Sequence, residues 1–238
     1  MRDLGGLRGR SVATFAALTL PRPGGVQSQE GRGLLGLRSV PTVDDVSLTP
    51  RQIELADAAL RIVARQGMRA VTFRSVAAES GWSLGAVQKA FATKVDLHTA
   101  MFARLRGSVG PAPTHEPGRP TLHAWLVELV ASILPLDERR RDLELQGAAF
   151  AELAAHDPEI AGVIAVDDRR LLGLLEGLVR RGQAEGEIDG SLRADAVAWA
   201  VLAILQGAAS QLLYDPRTES EVRELVSPAL AGILHWSG

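Results

Sequence analysis

The sequence predicts an all-α protein, and three observations carry that expectation. Apolar residues recur at three- and four-residue spacing through most of the chain from about residue 49 onward, the period of a helix with one buried face. Ser, Thr or Asp stand where those stretches begin, and glycine or Asp-Pro where they end, as caps and stops should. Aromatic residues are only 4% of a chain rich in alanine and leucine, a balance that favours helix over sheet. Three parts are expected: 1–46 as a disordered tail or a start placed too far upstream, 47–106 as a three-helix helix-turn-helix domain whose last helix leads onward, and 121–238 as a second helical domain.

The elements follow in order. Residues 1–10 are basic and 11–20 mildly apolar, a faint likeness to a secretory signal; no small-x-small cleavage site follows, and the Pro- and Gly-rich stretch at 21–25 reads as linker. Thr49, Pro50 and Gln52 then combine a cap, a proline at the first helical position and a polar partner three residues after the cap. Ile53, Ala56, Leu60 and Val63 form the inward stripe of that helix, and Gly67 ends it. Thr72 opens a second, short helix with Phe73, Val76 and Ala77 on one face, and Gly81 is expected to stop it in the left-handed conformation. Ser83 caps a third helix reaching about Phe91, with Val87 and Phe91 inward at i, i+4 spacing. Thr93 and Asp96 form a variant capping box for a helix over 94–106.

Two short helices joined by a tight glycine turn are the layout that places a second helix in a DNA groove. That second helix leaves Leu84, Ala86, Gln88 and Lys89 for other faces, and Gly85 within it lets backbone approach another surface closely. Both lysines of the chain, Lys89 and Lys94, lie in or beside it. Charge sorts in the same sense: residues 51–110 hold nine Lys and Arg against four acids, while 111–238 hold eleven Arg against twenty acids. The net charge of −2 hides this division, which points to a polyanion partner for the first part alone. Lys94, Lys89, Arg51, Arg74 and the Thr72 hydroxyl are candidates for phosphate contact. Leu84, Ala86 and Gln88, with Lys89 or Arg74, are candidates for reading base edges, and Ser83 and Gly85 complete the surface.

Prolines 111, 113, 117 and 120 mark a junction. Beyond it helices are expected over 121–134, 138–156, 159–183, 192–214 and 218–236, the last kinked at Pro228. The longest apolar run, 196–205, has ten residues, short of the ~20 a bilayer span takes, so no membrane association is expected. Helix 192–214 is apolar nearly all round, and helix 218–236 carries Val222, Leu225, Val226, Ala229, Ile233 and Trp236. With Leu202 and Leu205 these read as an oligomer interface, ordinary core of a monomer being the other reading. Arg139, Arg140 and Arg141 read as a solvated face.

The segment from Thr49 to Leu97 resembles the tetracycline-repressor (TetR) family of transcriptional regulators. The likeness rests on the opening amphipathic helix, Val71-Thr72 before Arg74, Val76, Ala77 and Gly81, then Ser83, Gly85, Val87, Phe91, Lys94 and Leu97 at the family's spacing. It departs at Gln88, where the family usually carries an aromatic, most often a phosphate-gripping Tyr, and at Ala90, where it carries His or Tyr. Gln88 can instead pair with adenine or donate to a phosphate. The resemblance implies a homodimer joined through its last two helices, a palindromic DNA operator, and a small-molecule effector held in the second domain. Trp125, Gln146, Phe150, Trp199 and Gln206 are the candidates to line that pocket, core packing being the alternative for each.

Other chemistries find little support. The chain has no cysteine, which excludes disulfides, thiolate metal sites and thiol nucleophiles and fits the cytoplasm. His123 and His156 stand apart from other ligand-type residues, so neither metal nor cofactor is expected. No Gly-rich phosphate loop, His-Glu-x-x-His pair or nucleophile elbow appears, which speaks against an enzyme. The rival reading is a helical small-molecule-binding or assembly protein without sequence-specific DNA binding.

Overall fold

A computed structural model describes residues 47–107 and 122–234. The tail over 1–46, the Pro-rich junction, Trp236 and the side chain of Trp125 lie outside the described residues. Helices fill most of the remainder, and no strand occurs among the described residues. They are α1 (Pro50–Gln66), α2 (Phe73–Ser80), α3 (Leu84–Ala90), α4 (Lys94–Gly107), α5 (Leu122–Ile133), α6 (Glu138–Ala154), α7 (Pro158–Ala184), α8 (Ala194–Leu212) and α9 (Glu219–Leu234).

The caps sit where the sequence places them. Thr49 and Gln52 form a reciprocal box at the start of α1, Thr93 and Asp96 another before α4, and Thr218 and Glu221 a third before α9. Each pairs backbone N–H groups that the first turn would otherwise leave without a partner. Pro228 lies inside α9, where its missing N–H removes one helical bond.

Two apolar cores organise these helices. One gathers the inner faces of α1 to α4, among them Leu55, Val76, Val87 and Phe91. The other joins α5, the second half of α7, α8 and α9. The first core also recruits Phe150 from α6 and Ile160, Val163 and Ile164 from α7. Phe150 meets Phe102 of α4 edge to face, centroids 5.3 Å apart. Helix α7, 27 residues long and so roughly 40 Å from end to end, therefore serves both cores: Leu171, Leu175 and Val179 belong to the second. At the changeover the buried Asp167 meets Arg106 near the end of α4 at 2.5 Å. The junction in the chain is no junction in the packing.

Helix α8 corrects the membrane argument in one respect. At 19 residues it is long and apolar enough, by length and composition alone, to cross a bilayer. Its apolarity has another outlet, because Val197, Ala198, Val201, Leu202, Leu205 and Ala209 are buried in the chain's own core. A helix covered on several sides must be apolar on several sides.

One buried group stands out as unpaired. His98 on α4 is 4% exposed, and neither ring nitrogen has a hydrogen-bond partner. Burial, aided by the Lys94 charge and opposed by Asp157, lowers its pKa from 6.5 to about 4. The folded protein thus holds His98 neutral, whereas the unfolded chain takes up a proton as pH drops below 6.5, so stability is lost as pH falls from about 6.5 towards about 4. His98→Leu should raise stability at pH 7.5 by about 1 kcal/mol by removing an unsatisfied buried polar group. Urea titrations at pH 7.5 and pH 5 should show the advantage of H98L growing at the lower pH; an equal advantage at both would contradict the assignment.

Candidate nucleic-acid interface

The head of the molecule is built to hold α3 in one orientation. Upstream, the Thr72 hydroxyl accepts the Ser75 N–H at 3.0 Å while the Ser75 hydroxyl accepts the Thr72 N–H at 2.8 Å, closing the start of α2. Gly81 ends α2 at φ 76° and ψ 4°, a left-handed conformation that costs other residues about 1 kcal/mol or more. The chain can then turn directly into Ser83, whose hydroxyl accepts the Ala86 N–H at 3.2 Å. Val87 and Phe91 point into the first core at 0% and 1% exposure. At the far end the Gln52 amide of α1 donates to the Ala90 carbonyl at 3.0 Å.

With the inward face fixed, the outward one follows. Gln88, Lys89 and Gly85 are exposed, and Leu84 and Ala86 are half-buried at its margin. A Cβ added at Gly85 would meet nothing within 4 Å. Packing within the chain therefore does not require that glycine, although it weakens a helix by about 1 kcal/mol relative to alanine. Thr72, Ser83, Arg74, Lys94 and Arg51 are also exposed. The Arg51 guanidinium lies over the Trp82 ring, 4.4 Å from its centroid, and the Trp82 indole N–H donates to Glu54 at 3.0 Å.

The charges of the head divide into two groups. Arg61 and Arg65 both bind Glu79, whose carboxyl the Arg61 hydrogen bond, then that of Arg65, holds below its ordinary range. Arg104 grips Asp57 through two bonds of 2.8 and 3.1 Å. Arg74, Lys89 and Lys94 make no ion pair among the described residues. Arg74, Lys89 and Lys94 thus keep their charge uncompensated, while Arg61 and Arg65 of α1 and Arg104 of α4 are neutralised in place. A surface of free ammonium and guanidinium groups, hydroxyls and one exposed amide can bind phosphate oxygens and read base edges.

The expected pocket residues whose side chains are described sit in different surroundings. Gln146 is buried and donates to the Leu60 carbonyl at 3.1 Å, Phe150 is spent in the first core, and Gln206 is buried on α8 in the other half. Trp199 is 65% exposed, its position on α8 falling on the outward face. Gln146 does open onto a cleft of about 690 Å³ between α1, α4 and α6, shared with Asp57, Arg61, Arg104, Glu138 and Asp142. Of the expected interface residues, Leu202, Leu205, Val222 and Val226 are at most 6% exposed and pack in the chain's own core. Ile233 is half-buried against the same core. Leu225, 56% exposed, and Ala229 face outward, beside a groove of about 320 Å³ that they share with Val222, Val226, Ile204 and Ala208. Helical periodicity names an apolar stripe but not whether its own chain or another covers it. The links from Gln52 to Ala90 and from Trp82 to Arg51 and Glu54 join positions too distant in sequence for spacing to reveal.

Comparison with known proteins agrees with this architecture. Residues 55–101 match the model of bacterial regulatory proteins of the tetR family, and residues 122–235 match the C-terminal domain of BetI-type transcriptional repressors. The HTH-type nicotine-responsive transcriptional repressor HdnoR of Paenarthrobacter nicotinovorans is 25% identical over 176 residues, covering 72% of this chain and 88% of its own. A transcriptional regulator from Rhodococcus sp. Rha1 has a similar structure, with a TM-score of 0.64, 26% identity, and coverage of 79% of this chain and 97% of its own. The multidrug binding protein EbrR, solved with imidazole, aligns with a TM-score of 0.52 and 26% identity over 78% of this chain and 91% of its own. With both halves matched in order, the chain belongs to the TetR family of transcriptional regulators.

Proposed function

We propose that the protein is a homodimeric repressor that holds a palindromic operator through two copies of α3 and releases it when a small molecule binds the second domain. The observation that carries this reading is the outward face of α3 with the first turn of α4: an exposed Gln88, free Lys89, a free Lys94 at the start of α4, and a Gly85 that no intrachain contact requires. Arg74 and Lys94 contribute phosphate contacts, with Arg51 and the Thr72 and Ser83 hydroxyls beside them. Gln88, Leu84 and Ala86 meet base edges. The protein acts on cytoplasmic DNA, needs no cofactor, touches no membrane and performs no catalysis.

Pairing is proposed through the outward surfaces of α8 and α9, with Leu225 and Ala229 against their counterparts across a twofold axis. The exposure of Leu225 and Trp199 favours it, since large apolar side chains gain most by being covered. Effector control is supported by relatives described as nicotine-responsive and multidrug binding. The Gln146 cleft is the proposed point of leverage, because an occupant there would press on α1 and α4 together. An effector that prefers the released form ~100-fold supplies about 2.7 kcal/mol of coupling per site.

The direct test is selection of duplexes from a random library, followed by affinity measurements across salt concentrations. Specific, salt-sensitive binding supports the reading, whereas failure to enrich any sequence would leave a helical ligand-binding protein. Lys94→Ala should weaken binding to all duplexes and flatten the salt slope by about one, while Gln88→Ala should change base preference and leave the slope alone. Gly85→Ala should raise thermal stability, by roughly 0.5–1 kcal/mol, and yet weaken DNA binding; unchanged affinity would remove the close-approach argument. Leu225→Glu should convert dimer to monomer in sedimentation velocity without altering the helical circular dichroism.

A further inference from the structure

We infer that Trp82 is a positioning residue for DNA binding, which holds the Arg51 guanidinium at the turn leading into α3 so that it meets a phosphate of the duplex backbone. The inference rests on the DNA-binding reading above. Among the arginines of the head, Arg61, Arg65 and Arg104 are each paired with a carboxylate. Arg51 instead lies over an indole, 4.4 Å from its centroid. Stacking orders a guanidinium without cancelling its charge, so the group stays available to an anion.

The surroundings reinforce the arrangement. Glu54, three residues on from Arg51 in α1, is the acid nearest in sequence and could pair with it across one turn. It accepts the Trp82 indole N–H at 3.0 Å, and that bond fixes the ring while drawing the carboxylate to the indole. Trp82 is half-buried against the first core, so the platform is anchored. Gln52, next to Arg51, ties the same turn of α1 to the Ala90 carbonyl. The start of α1 is therefore fastened to both ends of α3, and a phosphate held by Arg51 sets the register in which α3 meets the groove.

A duplex selected by the parent protein serves as the probe, and its affinity is measured across salt concentrations for the parent, R51A, R51K, W82L, W82F and the R51A/W82L double variant. R51A and W82L should each weaken binding about three- to tenfold and reduce the salt slope by up to about one, with the double variant no weaker than R51A alone. W82F, which keeps a ring face but loses the bond to Glu54, should fall between the parent and W82L. Additive losses in the double variant, or R51A binding like the parent, would overturn the assignment. R51K guards against misfolding of the Trp82 variants, because Arg51 is exposed: it keeps the charge but not the guanidinium over the ring. It should bind at least about threefold more weakly than the parent, and parental affinity in R51K would also overturn the proposal. If the parent enriches no duplex, the DNA-binding reading fails, and this proposal with it.

Discussion

Val87 and Phe91, one helical turn apart and both sealed in the first core, fix the rotation of α3 about its own axis, and everything on its outward face depends on that anchorage. Burying Phe91 is worth roughly 2–3 kcal/mol by apolar area, more than a seven-residue helix gains from its own hydrogen bonds in water. The helix is therefore held by tertiary packing. Rotating it by one position would bury Gln88 and expose Val87. The caps at Thr72, Ser83 and Thr93 and the left-handed Gly81 set where the helices begin and end. The two buried side chains decide which face is offered to solvent.

The same economy joins the head to the body. Helix α7 supplies Ile160, Val163 and Ile164 to one core and Leu171, Leu175 and Val179 to the other, so a shift along or about α7 is felt in both. Where the cores meet, the buried Asp167 carboxylate engages Arg106 of α4. Next to it, burial and then the Asp167 charge raise Asp168 to about 6, against the pull of Arg106 and Arg169. An ion pair of Arg106 with Asp167, beside a second carboxylate that feels the same charge, gives this contact a polar, geometry-sensitive character that apolar packing lacks. It lies at the end of α4, the helix whose first turn carries Lys94.

Much of the fold was legible in the sequence because its signals are local. Thr49 with Gln52, Thr93 with Asp96 and Gly81 after α2 each act over a few residues, and the structure places each as spacing predicts. The side chains lining α3 were legible too, since i, i+4 spacing separates Val87 and Phe91 from Gln88 and Lys89. The second half was harder. Leu202, Leu205, Val222 and Val226 lie on stripes no different in composition from an intermolecular surface, yet they fill the chain's own core. Trp199 reads as an interior aromatic and faces outward. The Arg51–Trp82–Glu54 cluster needs the turn at Gly81 to bring its members together.

The central claim is that the outward face of α3, together with the first turn of α4, meets duplex DNA. Hydrogen–deuterium exchange of the full chain, with and without a selected duplex, tests it most directly. The account requires slowed exchange concentrated in residues 83–94 on adding DNA. Slowing confined to α5–α9, with 83–94 exchanging as in the free protein, would contradict it.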